Sequence, residues 1–346
     1  MSEFFFDFGL GVASVSLSWL VTLVCIRYAL RRNLLDHPNE RSSHSQAVPR
    51  VGGIGIFAGF VLPLLAAPHW DHWWVILLAA VGMAAVGLLD DFRNLSASRK
   101  YLLQLVIVAA VLASGSFVKE ITLPFAKPLV LGWLAVPLSL LWLTGFPNFF
   151  NFMDGTNGMA GGAGLIYGSF FSAFAYLQGR AELGLVGLLV AASSLGFLFH
   201  NFPRARTFMG DSGSLFLGIT FALLAVLMPQ CFVASLILCS VFIYDCVTTI
   251  FRRLGRRENI FQAHRSHHYQ RLARSGWGHS AVAILYFTMH VLAGVLGLIY
   301  LYASDVTRIL TILADLVMLS ALSLLVGFVE RKNIATERTV AGVANA

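Results

Sequence analysis

Charged residues are scarce in this sequence, and their scarcity decides the class of protein. Only 12% of the 346 residues are Asp, Glu, Lys or Arg, whereas 58% are hydrophobic and the mean hydropathy is +0.76. This composition predicts an integral membrane protein. The longest polar interval, about 252–280, is too short for a separate soluble core. We therefore expect one polytopic membrane domain over residues 1–346.

Cysteines are also few in this sequence, and the N-terminus does not resemble a secretory leader. The N-terminus lacks a basic leader and a cleavage site, so we expect the first apolar run to be retained. The four cysteines stand in or beside apolar runs without metal-ligand spacing, which favours small core residues over a disulfide framework. They are Cys25, Cys231, Cys239 and Cys246.

Apolar runs long enough to cross a bilayer recur about eleven times, which predicts an all-α membrane protein. Their approximate bounds are 9–30, 52–68, 73–89, 101–118, 130–147, 159–177, 183–200, 213–229, 231–251, 281–302 and 308–328. Of the 24 Lys and Arg residues, 20 lie in or beside the segments that follow odd-numbered runs. Because cytoplasmic loops are enriched in these residues, we expect an outside N-terminus and a cytoplasmic C-terminus. The net charge of +7 therefore needs no nucleic-acid partner to explain it.

The most informative polar stretch is residues 148–158, which read Asn-Phe-Phe-Asn-Phe-Met-Asp-Gly-Thr-Asn-Gly between two apolar runs. Side chains three residues apart share a face of a helical turn, so Asn148, Asn151 and Asp154 are expected to converge. Oxygen donors of this kind suit Mg²⁺ and the phosphates that it binds. A simple reverse turn is the alternative, because Asn, Asp and Gly are common turn residues.

Two further polar segments lie on the same predicted side. Asp90 and Asp91 directly follow the third run, where adjacent carboxylates are costly unless a cation or a proton offsets their repulsion. They could act as a general base or as metal ligands, or they could stand in a solvated loop. Asp211 lies in Gly-Asp-Ser-Gly-Ser at the expected start of a helix, a site suited to phosphate with its metal. The alternative there is an ordinary helix cap by Ser212 or Ser214.

Two long loops on this side are basic. In the first, Arg41 and His44 could contact a phosphate, or the loop could simply flank the membrane. The loop after the ninth run contains seven arginines together with His264, His267 and His268. No cysteine or paired carboxylate accompanies these histidines, so phosphate recognition fits better than Zn²⁺ binding. Contact of a basic loop with anionic lipid is the alternative.

Asp245 is an ionisable residue within the ninth run, near its predicted cytoplasmic end. A carboxyl at that depth suggests a function, and an ion pair with Arg252 or Arg253 is equally compatible. A cation-coupled transporter could use Asp245 with Asp90 and Asp91 as a relay. Against it, these acids lie toward one side and no internal repeat is apparent.

In their order, these motifs resemble those of the polyprenyl-phosphate N-acetylhexosamine-1-phosphate transferases, the glycosyltransferase family 4 superfamily of WecA and MraY. The resemblance spans about residues 36–275 and rests on Asp-Asp, Asn-x-x-Asn-x-x-Asp-Gly-x-x-Gly, Phe-Met-Gly-Asp-x-Gly-Ser and the histidine-rich loop. It implies transfer of a sugar 1-phosphate from a UDP-N-acetyl sugar to undecaprenyl phosphate, release of UMP, and use of Mg²⁺, for which Mn²⁺ is a candidate substitute. It also implies a multi-pass protein of the bacterial inner membrane with a cleft on the cytoplasmic face, and a homodimer is a candidate assembly.

The resemblance implies roles for individual residues as well. The expected catalytic set contains the acids and the loop histidines, namely Asp90, Asp91, Asp154, His264, His267 and His268. Which acid of the pair is the base stays open. The expected metal ligands are Asn151 and Asp211. The residues expected to bind nucleotide or phosphate are Asn157, Asn201, Lys100, Arg204 and Arg265.

Two departures from the family pattern bear on the branch. The central motif reads Asp-Gly-Thr-Asn-Gly where the peptidoglycan branch has a second aspartate. The histidine loop reads His-Arg-Ser-His-His-Tyr-Gln instead of His-x-His-His, which leaves the role of His264 open. Both departures favour the branch that begins O-antigen or related surface polysaccharides. No motif identifies the sugar.

Overall fold

The structure is a computed structural model that describes residues 2–36, 47–68, 70–71, 73–259, 262 and 264–344, with side chains between 5 and 333. Arg41 and His44 lie outside the described residues. The helices are α1 Ser2–Arg31, α2 Gly52–Ala66, α3 Trp73–Arg93, α4 Ala97–Ala113, α5 Ala135–Phe152, α6 Met159–Leu177, α7 Ala181–Asn201, α8 Gly210–Leu227, α9 Phe232–Gly255, α10 His268–Arg274, α11 His279–Tyr302 and α12 Asp305–Ala344.

Most of these helices are membrane spans by length and composition. Over the described residues, nine are long and apolar enough to cross a bilayer: α1, α3, α5, α6, α7, α8, α9, α11 and α12. The apolar α2 has only 15 residues, and the 17-residue α4 contains charged residues near its start. Each of the eleven predicted runs overlaps a helix, although the run predicted at 101–118 extends past the end of α4 at Ala113. The chain is thus a multi-pass helical membrane protein, and its orientation stays a prediction.

Two features differ from the prediction. The run predicted at 130–147 begins too early, because its first residues belong to a short antiparallel hairpin of Glu120–Ile121 (β1) and Leu129–Val130 (β2). A single 3-10 turn, Gly132–Leu134, follows, and α5 then extends to Phe152. The loop predicted to contain the histidines also includes the short helix α10. The shift of α5 places Asn148 and Asn151 in its last turns.

Helix α8 lies at the centre of the bundle. Of its apolar window 89% is buried, against 28% for α1 and for α12, and it packs against α2, α3 and α5. At Gly87 of α3, an added Cβ would lie 2.2 Å from the carbonyl oxygen of Asp211. Only glycine permits so close a backbone approach. The end of α3 is therefore held against the first turn of α8.

Segments 47–51, 94–96, 153–158, 202–209 and 264–267 meet at one end of the bundle, which we call the loop end. Segment 47–51 pairs with segment 202–209: Gly52 donates its backbone N–H to the carbonyl of Phe208, and Phe208 donates to Pro49, both at 2.9 Å. These hydrogen bonds satisfy backbone groups that would otherwise be left unpaired beside the membrane. They also bring Arg50 next to the start of α8.

Candidate active site

The two acids at the end of α3, Asp90 and Asp91, have different hydrogen-bond partners. Asp91 accepts hydrogen bonds from the backbone N–H groups of Asp211 at 2.9 Å and Ser212 at 3.0 Å. These are orphan donors of the first turn of α8, so Asp91 caps a helix that lies far away in the sequence. Gly210 has φ +75°, and an added Cβ would lie 2.7 Å from the Asp91 carboxylate. Asp91 is therefore built into the junction between α3 and α8.

Asp90, in contrast, binds a cation. The Nζ of Lys100 donates to Asp90 Oδ2 at 3.0 Å and to Asp211 Oδ2 at 2.5 Å. The other oxygen of Asp90 accepts from the backbone N–H of Leu95 at 2.7 Å. All three charged side chains are only 17–19% exposed, so their attraction is screened less than at a free surface. Two carboxylates from α3 and α8 thus converge on one point.

Of the two asparagines in the last turns of α5, one lies beside Asp211 and the other does not. Asn151 donates to the hydroxyl of Ser214 at 2.8 Å and interacts with Asp211. Asn148, which is partly buried, donates instead to the buried Gln104 of α4 at 2.6 Å. The predicted convergence of Asn148, Asn151 and Asp154 is therefore correct only for the last two. Asn148 joins α5 to α4.

Asp154 lies just beyond α5 and is partly buried. Removal from water raises the pKa of its carboxyl well above the usual range. The positive charge of Arg50 opposes this rise, whereas the carboxylates of Asp211 and Asp91 add to it. Asp154 therefore belongs to the same electrostatic cluster as the acids of α3 and α8.

Arg50 is the site residue that the sequence reasoning missed. Its guanidinium donates to Asp36 at 2.8 Å, and it interacts with Asp91, Asp154 and Asp211. The signal was present, since Arg50 stands between a proline and two glycines in the first loop. The arginines of that loop are also expected from membrane topology, so their presence did not distinguish Arg50 as a site residue.

The two asparagines expected to bind nucleotide hold loops together. Asn201 is 5% exposed, accepts from the backbone N–H of Gly158 at 2.7 Å and donates to the carbonyl of Thr207 at 2.8 Å. Asn157 donates to the carbonyl of Pro203 at 3.4 Å. Both ends of the Asn201 amide are thus used internally. Asn157 remains at the rim, where Arg204 is exposed.

The three histidines of the loop have different surroundings. His264 makes a 2.9 Å contact from Nδ1 to the hydroxyl of Ser266, and burial, with the neighbouring His267 and arginines, lowers its pKa to about 4. His267 lies against Phe152, the last residue of α5. His268 is 3% exposed and faces α9 and α12. Only His267 adjoins the central motif.

The arginines at the end of α9 do not pair with Asp245 among the described residues. Arg252 donates to the carbonyl of Ser266, whereas Arg253 pairs with Glu258 at 3.3 Å and donates to the carbonyl of Asn259 at 2.6 Å. The ion pair considered from the sequence is therefore not formed. Asp245 instead contacts the histidine loop.

The donor set fits Mg²⁺. Oxygens of Asp90 and Asp211 already converge on one cationic centre, and Asn151 stands beside them. Within the described part of the chain, no three His, Cys, Asp or Glu residues form a ready metal cage. Mg²⁺ commonly takes one or two carboxylates and completes its shell with water and substrate phosphates.

Comparison with known proteins identifies the family of the chain. The model of glycosyl transferase family 4 matches residues 73–229. The chain is 34% identical over 277 residues to the probable undecaprenyl-phosphate N-acetylglucosaminyl 1-phosphate transferase of Bacillus subtilis (strain 168). The match covers 77% of this chain and 77% of the relative. It belongs to glycosyl transferase family 4.

Other relatives in the family are phospho-N-acetylmuramoyl-pentapeptide-transferases. That of Acetivibrio thermocellus is 31% identical over 269 residues, covering 72% of this chain and 80% of the relative. That of Staphylococcus saprophyticus subsp. saprophyticus is 28% identical over 323 residues, covering 84% and 97%. The family 4 match includes the acidic pair, the central motif and the start of α8, whereas Arg50 and the histidine loop lie outside it.

Proposed function

We propose that this family 4 protein transfers an N-acetylhexosamine 1-phosphate from a UDP-sugar to undecaprenyl phosphate and releases UMP. The principal observation is the meeting of Asp90 and Asp211 at Lys100, at the loop end of a membrane-spanning bundle. Such a site can hold charged phosphates next to a lipid. The Bacillus relative, whose name includes undecaprenyl phosphate and N-acetylglucosaminyl 1-phosphate transfer, supports the donor and the acceptor.

The biological setting is part of the proposal. We place the protein in the bacterial inner membrane with the loop end in the cytoplasm, because the basic loops gather there. We assign it the first membrane step of O-antigen or related surface polysaccharide synthesis. The central motif and the histidine loop, which differ from the peptidoglycan branch, support this assignment.

The proposed metal is Mg²⁺, with Mn²⁺ as a substitute. Asp211 and Asn151 would hold it, and Asp90 is close enough to contribute. Bound there, it would neutralise the pyrophosphate of the donor and stabilise charge on the leaving phosphate. Lys100 and Arg50 supply further positive charge from the protein itself.

The bond changes balance without a further reactant. An oxygen of the undecaprenyl phosphate attacks the β-phosphorus of the UDP-sugar, and the bond from that phosphorus to the oxygen bridging to the α-phosphate breaks. UMP leaves with that oxygen. Phosphates of both substrates must approach closely, so cationic groups held ready in a partly dry site lower the barrier. A transient aspartyl-phosphate is the alternative route to the same products.

The geometry distinguishes the two acids of α3. Both oxygens of Asp91 accept backbone N–H groups of α8, which makes it a positioning residue in this proposal. Among the described residues, Asp90 accepts hydrogen bonds from Lys100 and from one backbone N–H, and its carboxylate faces that of Asp211. We therefore assign the base role to Asp90.

The remaining expected site residues divide in the same way. Asp154 and His267 stay assigned to the catalytic set, and Arg204 and Arg265 stay assigned to substrate contact. Asn157, at the rim, stays assigned to the nucleotide. Asn201, His264 and His268 are assigned to holding loops, because they are hydrogen-bonded within the protein.

A donor panel tests the proposal. Purified protein with undecaprenyl phosphate and Mg²⁺ is given UDP-N-acetylglucosamine, UDP-N-acetylgalactosamine, and the 6-deoxy donors UDP-N-acetylfucosamine and UDP-N-acetylquinovosamine. Mass spectrometry of the organic phase should show a lipid pyrophosphoryl sugar from at least one donor. The variant Asp211→Ala should make none. No lipid product from any donor, with stable folded protein, would contradict the proposal.

A further inference from the structure

Asp245 is a fully buried carboxylate of α9 that the proposed reaction does not use. Its Oδ1 accepts the backbone N–H of His268 at 2.8 Å. Its Oδ2 accepts the hydroxyl of Tyr286 at 2.6 Å and the backbone N–H of Tyr269 at 3.3 Å. A buried charge is tolerated when several donors surround it. Asp245 thus ties the start of α10 to α9 and α11.

The same carboxylate contacts two neighbouring imidazoles. Nδ1 of His267 lies 3.2 Å from Asp245 Oδ1, and Nδ1 of His268 lies 3.3 Å from it. An ionised carboxylate can only accept hydrogen bonds. Both rings must therefore have their proton on Nδ1 if these contacts are hydrogen bonds. Asp245 is thus the acceptor that faces Nδ1 of both histidines.

The second nitrogen of His268 is occupied. Its Nε2 lies 3.1 Å from the hydroxyl of Ser323 on α12, and that hydroxyl lies 2.8 Å from the hydroxyl of Tyr244. When Tyr244 donates its hydroxyl proton to Ser323 and Ser323 donates its own to Nε2 of His268, each hydroxyl proton forms one hydrogen bond. His268 is thus fully engaged between α9 and α12.

The second nitrogen of His267 differs. Within the part of the chain that the structure describes, its Nε2 forms no hydrogen bond. The ring stands at the N-cap of α10, near the backbone N–H of Gln270, but makes no side-chain cap hydrogen bond with it. The ring is fixed between Phe152, with centroids 6.2 Å apart, and Tyr269, on which it stacks at 5.9 Å. Phe152 is the neighbour of Asn151 and stands two residues before Asp154. The free nitrogen therefore belongs to the ring beside the acidic cluster.

We propose that Asp245 is a positioning residue that holds His267 with its proton on Nδ1, so that Nε2 is free to take up a proton and bind a substrate phosphate. Asp245 also stabilises the imidazolium that results, because the carboxylate lies on the opposite side of the ring. This inference rests on the proposed function, since it needs a phosphate at the loop end. The inference gives different roles to His267 and His268, which are adjacent and look equivalent in the sequence.

Nuclear magnetic resonance tests the tautomer directly. Protein labelled with ¹⁵N-histidine in nanodiscs, without substrate, gives two-bond proton–nitrogen correlations, and His267→Gln assigns the signal. We expect His267 to be protonated at Nδ1 in the unmodified chain and to lose that preference in Asp245→Asn. Asp315→Asn is the matched control, because Asp315 is also buried and hydrogen-bonds Ser240 of α9, away from the loop.

Kinetics provide the second measurement. Asp245→Asn should lower kcat by about 10- to 100-fold, as expected for loss of a partner that orients a functional histidine. The same substitution in a His267→Gln background should cost little more, whereas Asp315→Asn should leave kcat unchanged. Independent, multiplying losses for Asp245→Asn and His267→Gln would overturn the inference.

The outcomes separate this inference from the proposed function. If the unmodified protein has His267 protonated at Nε2 yet makes the lipid product, the inference fails and the proposed function stands. If no product forms with any donor, the proposed function fails whatever the tautomer. Should Asp245→Asn not fold, the spectrum of the unmodified protein still decides, because it needs only the His267→Gln assignment.

Discussion

Asp91 accepts the backbone N–H of Asp211 at 2.9 Å, and this bond attaches the end of α3 to the first turn of α8. The neighbouring Asp90 faces Lys100 instead. Two identical residue types, adjacent in the chain, therefore serve different purposes. One holds the site together and the other is available for chemistry.

This difference predicts opposite patterns for two matched substitutions. Asp91→Asn should lower stability, since it weakens two charge-assisted bonds that contribute about 1.5–3 kcal/mol each. Asp90→Asn should lower the melting temperature less than Asp91→Asn, because weaker bonds to Lys100 and Leu95 are offset by relief of the repulsion from Asp211. It should lower kcat by about 100-fold or more, as for loss of a general base. Thermal unfolding and steady-state kinetics of both variants check this. The reverse pattern would refute the assignment.

The two asparagines of α5 provide a second matched pair. Asn151→Ala should raise the Mg²⁺ concentration for half-maximal rate by about tenfold, since it removes a proposed metal ligand whose amide lies beside Asp211. Asn148→Ala should leave that concentration unchanged and lower stability by about 1–3 kcal/mol, because the buried Gln104 loses its hydrogen-bond partner. Mg²⁺ titrations and melting curves measure both effects. Equal Mg²⁺ dependence in the two variants would contradict the site.

Arg50 is expected to matter for substrate binding. Arg50→Gln removes the positive charge among Asp91, Asp154 and Asp211, so the KM for the UDP-sugar should rise by about 10- to 100-fold. Arg204→Gln is the comparison: Arg204 is assigned to substrate contact but is exposed at the rim, where solvent screens its charge, so its loss should raise the KM less. A larger KM effect for Arg204→Gln than for Arg50→Gln would show that the rim, and not the cluster, binds the donor.

His264 predicts a pH dependence of stability. Its pKa in the folded protein is about 4, below its ordinary value of 6.5. Protonation therefore favours the unfolded chain, and the contribution to stability is full above pH 6.5 and is lost as the pH falls toward 4. His264→Gln should reduce the fall in melting temperature between about pH 7.5 and about pH 5. An equal fall in both proteins would contradict the shifted pKa.

Hydropathy predicted the helices well and the ends of α5 less well. The hairpin before α5 contains apolar residues such as Leu129 and Val130, which are 53% and 72% exposed. Sliding hydrophobicity cannot separate these from the helix that follows. The acidic cluster was predictable, because Asp90, Asp154 and Asp211 all follow or begin apolar runs on one predicted side.

The partners of individual side chains were not predictable. The sequence around Asn148 does not indicate that Gln104 is its hydrogen-bond partner, and the sequence around His268 does not indicate Ser323. These contacts depend on how α5 faces α4 and how α12 lies beside α9. Spacing along one helix indicates a shared face, and only packing decides what that face meets.

The most direct test of the central claim is isotope exchange from UMP. The reaction breaks one pyrophosphate bond and makes another, so its free-energy change should be small and it should run in both directions. Labelled UMP should therefore enter UDP-sugar when the protein is given lipid-pyrophosphoryl-sugar and Mg²⁺, and UDP should not replace it. Release of UDP, or a lipid product with a single phosphate, would contradict phosphosugar transfer.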